Sequence, residues 1–165
     1  MKNLNLFFRM FLLPFLIAVA LLGNPFALKA FGEEAIFAGG CFWCLEHDLE
    51  ILPGVISVES GYSGGNLLSP TYDNHTGHQE AVVVHFDPSQ ISYEELLRHY
   101  WRNIDPLDGE GQFCDRGDSY RPVIFTKGDE QEIKALRSVD SAAIELAKPK
   151  LSLKVHIQSA KKFWL

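Results

Sequence analysis

A cysteine stands at the point where the sequence changes from a strand-like to a helix-like pattern. In "AGGCFWCLEHDLEIL", Ala38 to Leu52, Cys41 follows a glycine pair and precedes apolar residues at helical spacing. Because glycines allow a sharp turn, we expect Cys41 at the N-terminus of a helix, where unpaired N–H groups and the helix dipole stabilise a thiolate. The alternative is a buried, unreactive cysteine, but the glycine pair and the helix start favour a nucleophile.

The three residues after Cys41 bear on what a reactive thiol could do there. Cys44 follows at the spacing of a redox CxxC pair. On a regular helix two such side chains are about 5–6 Å apart, slightly too far for an undistorted disulfide, so packing as a small core residue is the alternative. Phe42 and Trp43 are adjacent and cannot both face one helical core. We expect one or both to line an apolar pocket, with ordinary packing as the alternative.

Two long loops carry further side chains that can do chemistry. Glu80 stands where the loop "HTGHQEA" enters the strand "AVVVHF", and burial at that point would let its carboxyl act as an acid. A solvated glutamate is the alternative. The second loop, "FCDRGDSYR", brings together Cys114, Asp115, Arg116 and Tyr120. A phenol and a carboxylate near a thiolate can hold a polar oxygen.

Composition excludes several classes of function. The chain has 165 residues, 47% of them hydrophobic and 22% charged, which suits one globular domain. Its formal charge of −6 repels phosphate backbones, so we expect no nucleic-acid partner. His75, His78 and His85 match no strong ligand spacing, and we predict no metal. The three cysteines, an odd number, argue against a structural disulfide framework.

The first thirty residues have the pattern of a secretory signal peptide. Lys2 and Arg9 precede the apolar run "FLLPFLIAVALLG", and small residues lead to Ala30. The apolar run is too short for a comfortable membrane span. We therefore predict a signal peptide over 1–30 and one domain over 31–165. The protein is expected to be exported, periplasmic or secreted, with no stable membrane insertion after cleavage; an uncleaved N-terminal anchor is the alternative.

Strand and helix patterns intermix along the predicted domain, which indicates an α/β or α+β fold in two layers. In "SYEELLRHYWRNI", Ser92 and Glu95 are placed as a capping box. Long loops such as "SGGNLLSPTYDNHTGHQ" and "DPLDGEGQFCDRGDSY" are more often functional than idle. The predicted strands are "EAIFAGG", "VISVESGY", "EAVVVHFDP", "RPVIFT" and "LSLKVHI", and the predicted helices are "CFWCLEHDLEIL", "SYEELLRHYWRNI" and Asp129 to about Ala147.

A set of stretches together resembles the A-class peptide methionine sulfoxide reductases. They are "GGCFWCLE", "LPGVISVESGYSGG", "SPTYDNHTGHQEAV", "FDPSQISYEELL", "NIDP", "GQFCDRGDSYRPVIF" and "KVHIQSAKKFW". They follow one another from about Ala35 to Leu165, and "GCFW" with "GHQEAV" and "DRGDSYR" is the most specific combination. The resemblance implies a two-layer α/β sandwich around a mixed sheet, with long irregular segments.

The resemblance also implies an activity, the reduction of methionine S-sulfoxide in oxidised proteins and peptides. Cys41 matches the nucleophile that attacks the sulfoxide sulfur, and Glu80 matches the acid that protonates its oxygen. Cys41 is left as a sulfenic acid, which a second thiol converts to a disulfide. An external dithiol, usually thioredoxin-like, then reduces the disulfide, and no bound cofactor is implied. The substrate-binding positions are matched by Phe42 and Trp43 for the methyl group, Tyr72 and Tyr120 for the oxygen, and Asp115 as a carboxylate of the same site.

The sequence departs from the family pattern in two places. It ends at "KKFWL", where members usually continue with an acidic, His- and Tyr-rich tail, so the domain is expected to be C-terminally short. Cys44 also stands where glycine is frequent. We predict Cys114 as the resolving thiol, because it precedes Asp115 in a glycine-flanked loop, whereas Cys44 is held by its helix. Cys44 and an external thiol are the alternatives.

Two other functions remain open. A general thiol–disulfide oxidoreductase would use the pair Cys41 and Cys44. The other is a truncated domain that binds sulfoxides and turns over weakly, and its only support is the short C-terminus.

Overall fold

The computed structural model describes residues 32–165, so the predicted signal peptide lies outside the described residues. Within them, three α-helices accompany one five-stranded sheet and one two-stranded ribbon. The strands are β1 (Glu33–Ala38), β2 (Val55–Ser63), β3 (Gln79–Phe86), β4 (Gly111–Gln112), β5 (Asp115–Arg116), β6 (Val123–Thr126) and β7 (His156–Ser159). The helices are α1 (Phe42–Glu50), α2 (Tyr93–Arg102) and α3 (Asp129–Glu145), and single 3₁₀ turns cover Asp118–Tyr120 and Lys150–Ser152.

The large sheet is mixed, with the strand order β2-β3-β1-β6-β7. Three of its pairings are antiparallel, β2 with β3, β3 with β1, and β1 with β6. The last, β6 with β7, is parallel, and α3 forms the crossover that a parallel connection needs. This arrangement confirms the predicted α/β fold around a mixed sheet.

All three helices pack against one face of the sheet. Alternate residues of β3, including Val82 and Val84, point into a core shared with Leu45 of α1, Leu97 of α2 and Ala135 of α3. The residues between them point to the opposite face, which is covered by the C-terminal segment through Ala160 and Phe163. The period-two alternation of the strands thus produces two layers.

The C-terminal segment connects the two edges of the sheet. From β7 at one edge it runs across the sheet to β2 at the other, where Trp164 and Tyr62 exchange backbone hydrogen bonds of 2.7 and 3.0 Å. The predicted strand "LSLKVHI" is wrong over its first five residues, because a 3₁₀ turn occupies Lys150–Ser152 and β7 begins at His156. Its partner β6 is only four residues long, so pairing extends no further back.

The helix ends match their sequence signals. The capping box of α2 is present, with the Ser92 hydroxyl accepting from the Glu95 N–H and the Glu95 carboxylate accepting from the Ser92 N–H. Helix α1 begins at Phe42, so Cys41 is its N-cap residue. Of the helices within residues 32–165, none is both long enough and apolar enough to cross a membrane.

Candidate active site

The turn before α1 fixes the position of Cys41. Gly40 has a φ of +89°, a conformation that side chains rarely adopt, and a Cβ on it would lie 2.8 Å from the Cβ of Gln112. The Gly40 N–H donates to the Tyr120 carbonyl at 3.1 Å, so the same turn draws the second long loop to the thiol. Cys41 is half-buried, and its side chain makes no capping hydrogen bond. Its sulfur therefore makes no hydrogen bond to the backbone N–H groups at the start of its own helix.

Glu80 supplies a buried carboxyl beside Cys41. It is the second residue of β3 and is only 2% exposed. Its Oε2 accepts a hydrogen bond of 3.2 Å from the backbone N–H of Phe42, the residue after Cys41. Burial raises the pKa of the Glu80 carboxyl above its ordinary value; the Phe42 N–H and His75 lower it by less, and Asp115 raises it further. The carboxyl therefore keeps its proton to a higher pH than an exposed glutamate does.

The two aromatic residues after Cys41 have different environments. Phe42 is buried in the core, whereas Trp43 is 59% exposed. Tyr72, also 59% exposed, stacks on Trp43 with ring centroids 5.8 Å apart. Trp43 and Tyr72 therefore form a solvent-exposed wall beside the N-terminus of α1, and the buried ring of Phe42 packs against Trp43.

Asp115 and Tyr120 lie close enough to Glu80 for electrostatic interaction with its carboxyl. The charge on Glu80, then burial and the charge on Asp115, raise the pKa of the Tyr120 phenol, with smaller contributions from Tyr72 and Cys41. Tyr120 closes the 3₁₀ turn Asp118–Tyr120 and Asp115 opens β5. The structure thus brings both residues from the second loop to Glu80 and Cys41.

Two residues of this site, Tyr62 and His75, were not predicted from the sequence. Tyr62 is 6% exposed and its Cα pairs with that of Glu80 across β2 and β3. Burial, followed by the charge on Glu80, raises the pKa of the Tyr62 phenol. The His75 ring stacks on Tyr62 at 4.9 Å. An antiparallel register for the β2–β3 hairpin would have placed Tyr62 beside Glu80, but the long loop between the strands conceals that register in the sequence.

The second cysteine of the CxxC pair lies beside the first. Cys41 has φ −58° and ψ 120°, outside the regular helix. The separation of about 5–6 Å expected for two cysteines on a regular helix therefore does not apply to this pair. Desolvation, the side chain of Cys41 and its charge raise the pKa of the Cys44 thiol. Cys114 is exposed between β4 and β5, a ribbon that the sequence pattern did not predict. Each of the three thiols is free.

The histidines near the site do not form a metal centre. His78 is buried, accepts from the Gly65 N–H through Nδ1 at 3.3 Å and donates through Nε2 to the Leu67 carbonyl at 2.9 Å. Both of its nitrogens are therefore used in holding the first long loop. Within residues 32–165 no three His, Cys, Asp or Glu side chains are grouped so that they could hold a metal ion.

An α/β fold that sets a thiol at a helix N-terminus, with a buried carboxyl bonded to the N–H of the next residue, has the arrangement of a thiol enzyme. Residues 33–165 match the sequence model of the family described as peptide methionine sulfoxide reductase. Peptide methionine sulfoxide reductase MsrA 2 of Caulobacter vibrioides is 46% identical over 163 residues, which are 95% of this chain and 82% of that protein. The chain belongs to the peptide methionine sulfoxide reductase family, which confirms the resemblance seen in the sequence.

Solved structures share the fold. Methionine sulfoxide reductase A of Corynebacterium diphtheriae has a TM-score of 0.74 and 28% identity, over 87% of this chain and 71% of that chain. Mxr1 from Saccharomyces cerevisiae, solved in complex with Trx2, has a TM-score of 0.60 and 18% identity, over 82% of this chain and 81% of that chain. At the lower identity the likeness concerns the fold alone.

Proposed function

We propose that this chain reduces methionine S-sulfoxide in peptides and proteins to methionine, with Cys41 as the nucleophile and Glu80 as the general acid. The observation that carries the proposal is the hydrogen bond from the Phe42 N–H to Glu80. It holds a carboxyl with a raised pKa against the backbone N–H of the residue that follows Cys41. A sulfoxide sulfur becomes open to attack by a thiolate when its oxygen accepts a proton, so the reaction needs both groups in one site.

In the first step the Cys41 thiolate attacks the sulfoxide sulfur while Glu80 donates its proton to the oxygen. The attack joins the two sulfurs in an intermediate that carries the protonated oxygen as a hydroxyl. The hydroxyl then moves to the Cys41 sulfur as the sulfur–oxygen bond of the substrate and the new sulfur–sulfur bond break, so methionine leaves and Cys41 remains as a sulfenic acid. The sulfoxide is reduced by two electrons and Cys41 is oxidised by two. The phenols of Tyr72 and Tyr120 hold the oxygen, Trp43 and Phe42 hold the methyl group, and the negative charge of Asp115 helps Glu80 to retain its proton before reaction.

In the second step we propose that Cys44 attacks the sulfenic sulfur, forms a disulfide with Cys41 and releases water. Cys41 is an N-cap residue rather than part of the helix, so the first turn does not hold its sulfur rigidly. Desolvation raises the pKa of Cys44 most, and a hydrogen bond with the Cys41 side chain and the charge on Cys41 raise it further. The contribution of the charge is removed when Cys41 becomes a neutral sulfenic acid, which favours loss of the Cys44 proton after the first step. Cys114, exposed on the β4–β5 ribbon, is the competing thiol.

A dithiol of the thioredoxin type completes the cycle by reducing the disulfide. The complex of Mxr1 with Trx2 supports this choice of partner. Cys44 is exposed, so a partner thiol can reach the Cys41–Cys44 disulfide from solvent. The cycle needs no bound cofactor.

The reaction is tested with the two sulfoxide epimers of a blocked methionine and dithiothreitol as reductant. The proposal expects turnover of the S-epimer and little of the R-epimer. A general thiol–disulfide oxidoreductase would instead reduce a disulfide substrate and neither epimer. A domain that only binds sulfoxides would show affinity for the S-epimer without turnover.

We further propose that the chain is exported, with cleavage near Ala30. The support is the leader-like pattern of residues 1–30. Expression of the full chain followed by cell fractionation and mass spectrometry of the N-terminus tests this. A processed N-terminus near residue 31 outside the cytoplasm is expected; an intact N-terminus in the membrane fraction would indicate the anchored alternative.

A further inference from the structure

Five rings form a series of contacts around the site, which we call the aromatic belt: His75, Tyr62, Phe42, Trp43 and Tyr72. Their consecutive centroid distances are 4.9, 5.7, 5.0 and 5.8 Å. The two ends of the series, His75 and Tyr72, are three residues apart on one loop. The belt is therefore closed through the backbone of that loop.

The loop segment that closes the belt is a tight turn. Thr71 and Asn74 exchange backbone hydrogen bonds of 2.9 and 3.0 Å, which places Tyr72 at a corner of the turn. His75 Nδ1 lies 3.1 Å from the Thr71 carbonyl. Because a carbonyl only accepts, Nδ1 carries the proton, and the imidazole is joined to the base of the turn.

The two ends of the belt are held unequally. Tyr72 and Trp43 are each 59% exposed, so their stacking is a contact between two rings that water reaches. His75 stacks at an angle of 18° on Tyr62, which is 6% exposed and fixed in the sheet. The turn is thus attached to the body of the protein more firmly through His75 than through Tyr72.

We propose that His75 is a positioning residue that sets the apparent affinity for methyl sulfoxides by holding Tyr72 in place over Trp43. The inference rests on the proposed function and deepens it, because Tyr72 and Trp43 are the wall against which the substrate lies. Without the His75 ring and its hydrogen bond, the turn swings and the wall opens. Cys41 and Glu80 are held by α1 and β3, so the chemical step proceeds as before once substrate is bound.

Another route from His75 to the reaction is electrostatic. Its charge lowers the pKa of Glu80, against the larger effect of burial. The other titratable groups whose charges act on Tyr62 or Glu80 are Tyr62 itself, Tyr72, Asp73, Asp115 and Tyr120. An electrostatic role would change the chemical step and its pH profile. A positioning role changes KM. The two routes are therefore separated by kinetics.

The kinetic test compares three substitutions of one residue. His75→Ala removes ring and donor, and KM for the S-epimer should rise about tenfold, the size expected from losing one aromatic contact and one hydrogen bond, while kcat stays within about threefold. His75→Phe keeps the ring and His75→Asn keeps a donor, so each should give a smaller rise. The matched control is His156→Ala, an exposed position on β7 at the far edge of the sheet, which should leave both constants unchanged.

Two further measurements distinguish the proposed role of His75 from a folding defect, and the second of them also does not depend on the proposed function. In a Tyr72→Ala background, His75→Ala should have no additional effect on KM, because a residue that acts through Tyr72 cannot act when Tyr72 is absent. Hydrogen exchange of the amides in residues 71–76 should be faster in His75→Ala than in the wild type or His156→Ala. Hydrogen exchange does not depend on activity, so it can be measured even if the protein reduces no sulfoxide. In that case the proposed function fails, and the exchange rates alone test whether His75 holds the turn.

Three results for the single His75 variants would overturn the inference. They are unchanged exchange in His75→Ala, an unchanged KM in a variant that exchanges faster, and a fall in kcat at constant KM, which would indicate action through Glu80 instead. Additive effects of the His75 and Tyr72 substitutions would likewise contradict it.

Discussion

The Glu80 carboxylate accepts a hydrogen bond of 3.2 Å from the Phe42 N–H, and this bond joins the second residue of β3 to the first residue of α1. The bond uses Oε2 and leaves Oε1 to carry a proton. One N–H at the start of the helix is thereby satisfied by the Glu80 carboxylate rather than by the side chain of the N-cap residue. The acid and the cysteine are held at a fixed separation by the fold itself.

Glu80→Gln should slow the chemical step by roughly 10²–10⁴-fold, the usual cost of losing a general acid. The amide oxygen can still accept from the Phe42 N–H, so binding should change little. In the wild type the single-turnover rate should also fall as the pH rises through the raised pKa of Glu80, and this limb should be missing in the variant. The control is Glu50→Gln at the exposed end of α1, and a rate for Glu80→Gln within about threefold of wild type would rule Glu80 out as the acid.

The raised pKa of Glu80 has a consequence for stability. Above the ordinary value of 4.5 the unfolded carboxyl has lost its proton while the folded one retains it, so the folded state binds more protons. The free energy of unfolding should therefore fall as the pH rises from about 4.5 through the folded pKa. Urea unfolding across that range measures the slope, which should be reduced in Glu80→Gln. An equal slope in both proteins would show that Glu80 titrates normally.

The disulfide after the first step should join Cys41 to Cys44. After one equivalent of S-sulfoxide without reductant, peptide mapping should find that linkage, with Cys114 free. Cys44→Ser should leave a sulfenic acid on Cys41 that a dione reagent traps, and Cys114→Ser should behave as the wild type. A Cys41–Cys114 linkage would instead restore the resolving thiol that the sequence pattern favoured.

Gly40→Ala should destabilise the protein more than Gly77→Ala. Both glycines have positive φ, +89° and +80°, so each substitution costs about 1–2 kcal/mol of backbone strain. Only at Gly40 does the new Cβ also meet a neighbour, the Cβ of Gln112 at 2.8 Å. Because Gly40 shapes the turn before Cys41, kcat/KM should fall as well. Equal losses in urea unfolding would mean that the contact with Gln112 relaxes without cost.

The sequence allowed prediction of those parts of the fold that depend on local signals. A helix follows Cys41, as the helical spacing predicted, and the capping box predicted at Ser92 and Glu95 is present. Signals of this kind act over a single turn of helix, so they are readable without knowledge of the fold. Strand β7 was predicted too long because its extent depends on β6, a partner distant in sequence.

The parts of the site that were missed depend on contacts between distant residues. Tyr62 and His75 join the site through the β2–β3 register and the turn at Thr71, neither of which has a sequence signature. The start of α1 was predicted only to within one residue. Because the helix begins at Phe42, Cys41 lies outside it, and the spacing of a regular helix does not fix the distance between the Cys41 and Cys44 sulfurs. The resemblance to a known family supplied the substrate, which residue types alone could not identify.

The most direct test of the account is the stoichiometry of methionine formation without reductant. The wild-type domain, mixed with excess S-sulfoxide, should form about one equivalent of methionine per active site in a burst and then stop, and it should form almost none from the R-epimer. Cys41→Ser should form none and yet remain folded, because serine is a favoured N-cap residue. A burst that survives in Cys41→Ser, or an equal burst with both epimers, would contradict the assignment of Cys41 as the nucleophile of a methionine S-sulfoxide reductase.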